Sequence, residues 1–248
     1  MKKLIDILIF CNSNNILGLY KTIDSIFLST TKNFNVIVKL NDRSSQIKFK
    51  SKIKVKYKKE FINVIQLNDN SPEEAINQLL EAVNSKYVQI LPAGDIVCPH
   101  YYDILTKHLS NNYDFISTPS ILMKSKNIGT YQISSDFFSN LNNGRIFGHL
   151  SSFVFSKKVI GNNRFPTNLK VSTDIDFLIR ISKNVKKTIF ENKVCTIAEI
   201  PGNSANNFRG TLELFLIFFR NKKKIIAFKI LFKNLVSIFL KKIIKIFK

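Results

Sequence analysis

The sequence contains few residues of several types, and each scarcity excludes a kind of site or a class of protein. It has no tryptophan and only three cysteines in 248 residues. Cys11, Cys98 and Cys195 are odd in number, far apart in sequence, and lack the ligand spacing of a zinc site. We therefore expect neither a disulfide framework nor a structural zinc ion. We interpret the three cysteines as buried free thiols of a reducing compartment.

Acidic residues are also scarce, with 17 Asp and Glu against 38 Lys and Arg and a formal net charge of +21. Such a charge is compatible with a nucleic-acid partner, but only six of the cations are arginine. The planar guanidinium is the side chain that nucleic-acid recognition favours, and no helix-turn-helix or zinc-finger pattern is present. A basic nucleic-acid binder is therefore a rival hypothesis, and we expect no nucleic-acid partner.

Long apolar runs are missing as well. No stretch approaches the roughly 18 uninterrupted apolar residues of a membrane-spanning helix. The N-terminal segment MKKLIDILIF has the basic start of a signal peptide, but Asp6 interrupts its apolar run and no small-residue cleavage site follows. We interpret this segment as a buried strand and expect a cytoplasmic protein.

Strand and helix patterns alternate along the chain, which predicts an α/β fold with a doubly wound sheet. Alternating Lys residues at 47–59 predict a protected edge strand. Ser71, Pro72 and Glu74 have the spacing of a capped helix start. Apolar runs predict strands at 4–11, 35–40, 61–67, 87–91, 115–117 and 187–197, and the segment 147–160 is expected to start with a polar cluster and continue as a strand. Helical periodicity predicts helices at 17–29, 71–84, 100–110 and 173–181.

Polar residues follow the first two predicted strands. Asn12 and Ser13 come after the first strand, and Asn41 and Asp42 come after the second. Ligands of doubly wound sheets bind outside the carboxyl ends of the strands, so these residues are expected where a nucleotide would lie.

A carboxylate follows the strand predicted at 87–91. Asp95 ends the segment LPAGD, and Gly94 gives the chain the freedom to turn there. This position suits a ligand of a divalent metal that faces a diphosphate, although a strand-terminating Gly-Asp is more often a simple turn. His149, in FGHLSS, is a further candidate, although a lone histidine is usually a packed or solvated side chain.

Two acids lie at the start of the helix predicted at 173–181. Asp174 and Asp176 are two residues apart and therefore point to different faces of the helix. One of them can face a cleft, while the other caps the helix or pairs with Arg180 one turn later. Taken singly, each is more typical of an acid that complements the helix dipole.

Together, these segments resemble the family 2 glycosyltransferases, particularly the bacterial branch that builds surface polysaccharides. The resemblance covers about residues 4–215. It is carried, in order, by DILIFCNSNN with TIDSI, FNVIVKLNDRSSQ, AINQLLEAVNSKYVQILPAGD, and HLSSFVF with FPTNLKVSTDIDFLIR. It implies a GT-A-type nucleotide-diphospho-sugar transferase fold, that is, a Rossmann-like mixed sheet flanked by helices.

The resemblance also implies roles for individual residues. Asp42, or Asn41 if the register differs by one, would contact the base or ribose of a nucleotide-sugar donor. Asp95 would bind a divalent metal, Mn²⁺ or Mg²⁺, at the donor diphosphate. Asp174 would be the general base that deprotonates the acceptor hydroxyl, and His149 and Asp176 would lie near the acceptor or the diphosphate. The transfer would invert the anomeric carbon.

The implied activity is sugar transfer to a saccharide, expected to be lipid-linked, in the synthesis of capsule, O-antigen, lipooligosaccharide or another surface polysaccharide. Asn41, Arg43 and Gln46 replace residues that are usual in the family's donor motif. The alternative is therefore an inactive family member that acts as a membrane-bound binding or assembly subunit. A homo-oligomer is a possible further state.

The composition changes after about residue 208, so we predict a catalytic domain over 1–208 and a basic amphipathic helical tail over 209–248. Residues 209–248 contain eleven Lys and Arg and a single acid, Glu213. Lysines at four-residue steps form a stripe beside a wide apolar face, which is typical of an interfacial helix. The alternative is a helix packed on its own domain or on a partner subunit. We expect an anionic membrane surface as a partner and a peripheral location on the inner face of the cell membrane.

Overall fold

A computed structural model of the chain describes residues 3–11, 15–40, 49, 57, 62–66, 71–124, 127–131, 136–144, 149–199 and 208–246. The strands are β1 (Ile5–Cys11), β2 (Phe34–Leu40), β3 (Ile62–Gln66), β4 (Tyr87–Pro92), β5 (Ile96–Val97), β6 (Phe115–Ser117), β7 (Ser120–Lys124), β8 (Asn127–Tyr131), β9 (Phe153–Ser156), β10 (Thr188–Phe190) and β11 (Thr196–Glu199). The helices are α1 (Ile16–Phe27), α2 (Pro72–Glu81), α3 (Tyr101–Leu109), α4 (Phe137–Asn142), α5 (Lys157–Ile160), α6 (Thr173–Ser182), α7 (Phe208–Arg220) and α8 (Lys224–Ile246).

The main sheet has seven strands in the order β10-β6-β9-β4-β1-β2-β3. Strands β4, β1, β2 and β3 run parallel, and β9 runs antiparallel between β4 and β6. A second sheet has the order β5-β11-β7-β8. The predicted α/β fold with a mixed sheet flanked by helices is confirmed.

The central strands are buried on both faces, as their nearly continuous apolar sequences predict. Along β1, Ile5, Ile7 and Ile9 join the core on one side of the sheet, and Leu8 joins the core on the other. Burial on both sides holds the strand ends in fixed positions, and these ends carry the candidate site.

The parallel strands end in line. Cys11 of β1 is paired in register with Leu40 of β2, and Leu40 is paired with Gln66 of β3. Phe10 of β1 is paired with Pro92 of β4. These four strands therefore end at one edge of the sheet, which we call the carboxyl edge.

Several sequence predictions were wrong in detail. The strand expected after the polar cluster of 147–160 is β9, but it ends at Ser156 rather than at residue 160, because Ser156 caps the short helix α5 by accepting from the Val159 N–H at 3.4 Å. The strand predicted at 187–197 is two strands, β10 and β11, which belong to different sheets. The hairpin β7–β8 and helix α4 lie in the polar region for which the sequence made no prediction.

The edge strand predicted at 47–59 lies almost wholly outside the described residues. Of that segment the structure describes only Phe49, which is helical and fully buried, and Tyr57, which lies in a bend. The strand prediction is therefore wrong at these two positions. Apolar side chains at alternate positions favoured a strand, but Phe49 packs as a core residue beside Tyr20, with ring centroids 5.5 Å apart.

The cysteines are free, as expected, but only Cys11 is fully buried. Cys98 and Cys195 are half-buried and adjacent, because β5 pairs with β11. The Cys195 N–H donates to Cys98 Sγ at 3.3 Å, and the Cys98 N–H donates to the Cys195 carbonyl at 3.1 Å. The sequence analysis did not predict this contact, because the two cysteines are 97 residues apart in sequence.

The predicted tail is helical and packs on the rest of the chain. Leu214, Ile217 and Phe218 of α7 and Ala227 of α8 are buried in the same core cluster as β4 and α6. The division at residue 208 stays a prediction, but the two parts share a core. Among the described residues, no helix combines the length and the apolar character needed to cross a membrane.

Candidate active site

Helix α1 positions the turn that follows β4. The Thr22 hydroxyl accepts from the Gly94 N–H at 2.9 Å, and the Ser25 hydroxyl accepts from the Val97 N–H at 3.2 Å. Gly94 has φ +111°, a left-handed conformation that side chains rarely adopt. The turn therefore needs glycine at this position, and the bonds from α1 on either side hold Asp95 in place.

Asp95 is a buried carboxylate at the carboxyl edge, only 4% exposed. Its Oδ2 atom has no hydrogen-bond donor among the described residues and lies 3.3 Å from His149 Nδ1. Burial raises the pKa of Asp95 to about 7, although a hydrogen bond with Ser151 lowers it. Asp95 is therefore a poorly solvated acid, and its Oδ2 atom can accept a cation or a proton.

His149 lies beside Asp95 because the turn 150–152 precedes β9, which pairs with β4. Its Nδ1 is 2.7 Å from the Ser151 hydroxyl, and its carbonyl accepts from the Ser152 hydroxyl at 2.6 Å. Burial lowers the pKa of His149 to about 4, so the imidazole is neutral at pH 7. A neutral imidazole retains one nitrogen lone pair for a cation or a proton.

A buried hydrogen-bond network around Gln89 stabilises the pair formed by Asp95 and His149. Gln89, in the middle of β4, donates to the Ser151 carbonyl at 2.6 Å and to the Tyr101 hydroxyl at 3.0 Å. The Tyr102 hydroxyl donates to Gln89 Oε1 at 2.7 Å. Every polar atom of the Gln89 side chain therefore bonds to a buried neighbour. Such a network fixes the turn that carries Ser151 and His149.

The Asp95–His149 pair has the chemistry of a partial divalent-metal site. A carboxylate oxygen without a hydrogen-bond donor and a neutral imidazole nitrogen are both ligands that Mn²⁺ accepts. Within the described part of the chain, no group of three or more His, Cys, Asp or Glu side chains could hold a metal ion. The two residues thus fit part of the ligand set of a divalent metal.

Asp174 is the second residue of helix α6 and is half-buried. Its Oδ1 accepts from the Ile175 N–H of its own helix at 2.9 Å. Burial raises the pKa of Asp174, and the negative charge of Glu73 raises it further, against the backbone hydrogen bonds that lower it. A carboxylate in such surroundings is a better proton acceptor than an exposed one.

Glu73 is the acidic residue whose charge acts on Asp174. It is in the first turn of α2, and five residues separate this helix from the end of β3. The Ser71 side chain caps this helix by accepting from the Glu74 N–H at 3.1 Å, as the sequence predicted. The charge of Glu73, at the start of α2, therefore acts on Asp174 at the start of α6.

Asp176 has a structural partner. The Arg180 Nε donates to Asp176 Oδ2 at 2.8 Å, as the four-residue spacing predicted. The guanidinium also contacts the Asn163 side chain at 3.4 Å and the Arg164 carbonyl. Asp176 is therefore tied to α6 and the segment before it, while Asp174 has no such ion pair with a basic residue in the described structure.

Lys39 is a buried cation near the carboxyl end of β2 that the sequence analysis missed. It is the penultimate residue of β2 and is fully buried. Burial lowers its pKa to about 8, while the charge of Glu74 raises it. A lysine within the apolar run FNVIVKL is the sequence feature that could have revealed it, because lysine is almost never fully buried unless paired.

Glu73 and Ser151 were also missed as site residues. Glu73 lies within a segment that the sequence indicated only as a helix start, and Ser151 lies in FGHLSS, where only His149 was singled out. Their proximity to Asp174 and Asp95 depends on contacts between distant segments. Asn12, Asn41 and Asp42, the candidates for donor binding, lie outside the described residues.

The chain matches no protein-family model, and no curated protein matches it in sequence. Solved structures are similar to it in fold. Residues 1–349 of S. aureus TarS in complex with UDP-GlcNAc align with a TM-score of 0.67 and 13% identity over 94% of this chain and 71% of that one. The mannosyltransferase PcManGT from Pyrobaculum calidifontis, in complex with GDP-Man and Mn²⁺, aligns with a TM-score of 0.62 and 12% identity over 96% and 75%.

Sequence identity this low carries the fold alone. Together with the seven-stranded mixed sheet flanked by helices, these likenesses show that the chain has a GT-A-type fold. The fold expected from the sequence resemblance is confirmed.

Proposed function

We propose that the protein is an inverting glycosyltransferase that moves a sugar from a nucleotide-diphosphate sugar to a saccharide acceptor. We also propose that the acceptor is lipid-linked and that the product is a cell-surface polysaccharide, O-antigen, lipooligosaccharide or capsule. The solved structures of similar fold support the donor class, because TarS was solved with UDP-GlcNAc and PcManGT with GDP-Man.

The proposal rests on one observation: the Asp95 carboxylate is buried, and one of its oxygens lacks a hydrogen-bond donor in the described structure. A carboxylate that is 4% exposed would normally be surrounded by hydrogen-bond donors, since burial of an unpaired charge is costly. Here one oxygen has none in the described structure and lies 3.3 Å from a neutral imidazole. Such an arrangement suits a site completed by a cation and a diphosphate.

On the donor side, Asp95 and His149 would bind the divalent cation and orient the diphosphate at the carboxyl edge. Mn²⁺ or Mg²⁺ held there would supply positive charge that stabilises the leaving diphosphate. The hydrogen bonds from α1 to the Gly94 turn would keep Asp95 aligned during the reaction. The donor base and ribose would reach Asn41 and Asp42, which follow β2.

On the acceptor side, Asp174 would act as the general base. The acceptor oxygen bonds to the anomeric carbon as the bond between that carbon and the diphosphate oxygen breaks. The hydroxyl proton passes to the Asp174 carboxylate, and the nucleoside diphosphate leaves with the bonding electrons. The nearby charge of Glu73 raises the pKa of Asp174 and so favours proton transfer to it.

The test is a screen of the purified full chain against a panel of nucleotide sugars with Mn²⁺, with nucleoside diphosphate release as the readout. Release that Asp95→Asn abolishes would support the proposal. Asp136→Asn is the matched control, because Asp136 is exposed and makes no capping hydrogen bond.

The same material tests the alternative of an inactive binding or assembly subunit. A melting temperature that rises with a nucleoside diphosphate only when Mn²⁺ is present indicates an intact donor site. No shift with any nucleoside diphosphate, together with no product, would contradict the proposed activity and favour the alternative.

A further inference from the structure

The tail helices α7 and α8 form a pair that is anchored to the domain on one side. Only residues 221–223 separate them, and Lys222 turns the chain with φ 61°. On the inner side, Ala227 is fully buried, and Ile226 and Ile230 pack against the core. A Cβ atom at Gly144 would lie 3.0 Å or less from these two isoleucines, so the backbone and α8 are in close contact there.

The opposite side of the pair is apolar and exposed. We call it the outer face: Phe208, Leu212, Leu216 and Phe219 of α7 with Ile225, Phe228, Phe232, Leu235 and Val236 of α8. Ile225 and Phe232 are 74% and 73% exposed. Phe215 joins the two helices, since its ring centroid is 5.6 Å from that of Phe219 and 5.3 Å from that of Phe228. The surface is therefore continuous across both helices.

Cations border this surface. At about 100° per residue, the outer-face residues of α8 occupy one sector of the helix. Lys224 lies on one side of that sector, and Lys229 and Lys233 lie on the other; all three are exposed. Lys224 Nζ is 5.5 Å from the ring centre of Phe219. Arg220 and Lys222, also exposed, add charge at the turn.

No acid offsets this charge within the pair. Glu213 is the one acidic residue of 208–246, and it is buried on the inner side. Its carboxylate accepts from the N–H groups of Lys170, Val171 and Ser172. The outer face thus combines apolar side chains in the centre with a wholly cationic border.

We propose that the outer face docks on an anionic lipid bilayer, with its apolar residues in the interfacial layer and its Lys and Arg residues against lipid phosphates. The positive charge of the border favours an anionic bilayer over a second copy of the chain. A second copy of the chain placed on the same face would bring two cationic borders together, whereas anionic headgroups neutralise them. An apolar face bordered by lysines is the pattern of helices that lie in the plane of a membrane.

Docking would also orient the candidate active site, a consequence that rests on the proposed function. Glu213 links α7 to residues 170–172, which lead directly into the helix of Asp174. The segment that carries the candidate base is therefore attached to the membrane-facing pair. A lipid-linked acceptor would meet Asp174 from the bilayer side.

The test measures binding of the full chain to vesicles by sedimentation and needs no enzymatic activity. Vesicles of phosphatidylcholine are compared with an equal mixture of phosphatidylcholine and phosphatidylglycerol. We expect binding to the anionic vesicles that weakens as salt is added, because salt screens the lysine contribution. No binding to either vesicle would overturn the proposal.

Two double variants test the two parts of the surface. Phe228→Ser with Phe232→Ser removes exposed apolar area and should lower partitioning at least about tenfold. Lys229→Gln with Lys233→Gln should lower it roughly tenfold to 30-fold, and only for anionic vesicles. The Lys pair is exposed, so we expect its variant to keep the melting temperature, whereas Phe228→Ser also removes the ring contact with Phe215 and should lower it slightly.

Matched controls use exposed residues outside the pair. Leu17→Ser with Ile128→Ser, and Lys107→Gln with Lys158→Gln, should leave binding unchanged. Equal losses in the controls would overturn the assignment to the outer face. Sedimentation velocity covers the competing occupant: a dimer that the Phe variants convert to monomer, with vesicle binding unchanged, would show that a second copy covers the face.

Discussion

Glu213 offers the sharpest test of how the tail supports the candidate active site. Its Oε2 accepts from the N–H groups of Val171 at 2.9 Å and Ser172 at 3.2 Å. Its Oε1 accepts from the Lys170 N–H at 3.0 Å and from Arg209 Nε at 3.2 Å. Both oxygens are therefore needed to satisfy the segment that leads into α6.

Glu213→Gln retains the size of the side chain but replaces one oxygen with an amide nitrogen. The carbonyl oxygen can serve one pair of donors, and the NH₂ group must then face the other pair. At least one backbone N–H loses its acceptor, at about 1–3 kcal/mol, and the remaining bonds lose the help of the charge. We expect a loss of about 2–4 kcal/mol in the free energy of unfolding, a large part of a typical total of roughly 5–15 kcal/mol.

Guanidinium unfolding at pH 7, followed by circular dichroism, measures this loss. Arg209→Gln is the matched control, because it removes the ion pair with Glu213 but leaves the three backbone bonds. The Arg209 side chain is 62% exposed, so the control should lose less than about 1 kcal/mol. Equal losses in the two variants, or a loss below about 0.5 kcal/mol for Glu213→Gln, would refute the assignment of the stability to the backbone bonds.

The pH dependence gives a second check. Burial alone would raise the pKa of Glu213, but the hydrogen bonds from Val171, Lys170 and Ser172, and then Arg209, lower it. A lowered folded-state pKa means that the stabilisation is present above the unfolded-state pKa of about 4.3 and is lost as the pH falls through the folded-state value. The difference between the wild type and Glu213→Gln should therefore shrink in acid and stay constant from about pH 6 to 8. A constant difference down to acid pH would contradict the charged-acceptor role.

Three further predictions concern single acids. Asp95→Asn should abolish Mn²⁺-dependent nucleoside diphosphate binding in calorimetry, while Asp136→Asn leaves it unchanged; unchanged affinity in Asp95→Asn would remove the metal assignment. Asp174→Asn should retain donor binding and lose about 10²–10⁴-fold in turnover, whereas Asp176→Asn should mainly lower the melting temperature; near-normal turnover in Asp174→Asn would exclude it as the base. Burial alone would raise the pKa of Asp103, but hydrogen bonds from the N–H groups of Thr31 and Thr30 lower it to about 2. Asp103→Asn should therefore lower the free energy of unfolding by about 1 kcal/mol at pH 6 and by almost nothing near pH 2. Denaturant titrations at the two pH values measure this difference.

Local sequence patterns determined most of the secondary structure of the sheet. Alternating strands and helices at the start of the chain, the Ser71 cap and the start of α6 at Thr173 all agree with the structure. These features depend on side-chain periodicity and on hydrogen bonds between residues three or four apart. The position of Asp95 at a strand end and the pairing of Asp176 with Arg180 are local in the same sense.

Contacts between distant segments were decided only by the tertiary structure. His149 reaches Asp95 because β9 enters the sheet beside β4, and Cys98 meets Cys195 across 97 residues. Glu213, one acid in a basic tail, bonds to a segment more than 40 residues earlier. A residue's partners in these cases depend on which strands and helices pack together. That choice follows from burying the whole core at once, so no local pattern can reveal it.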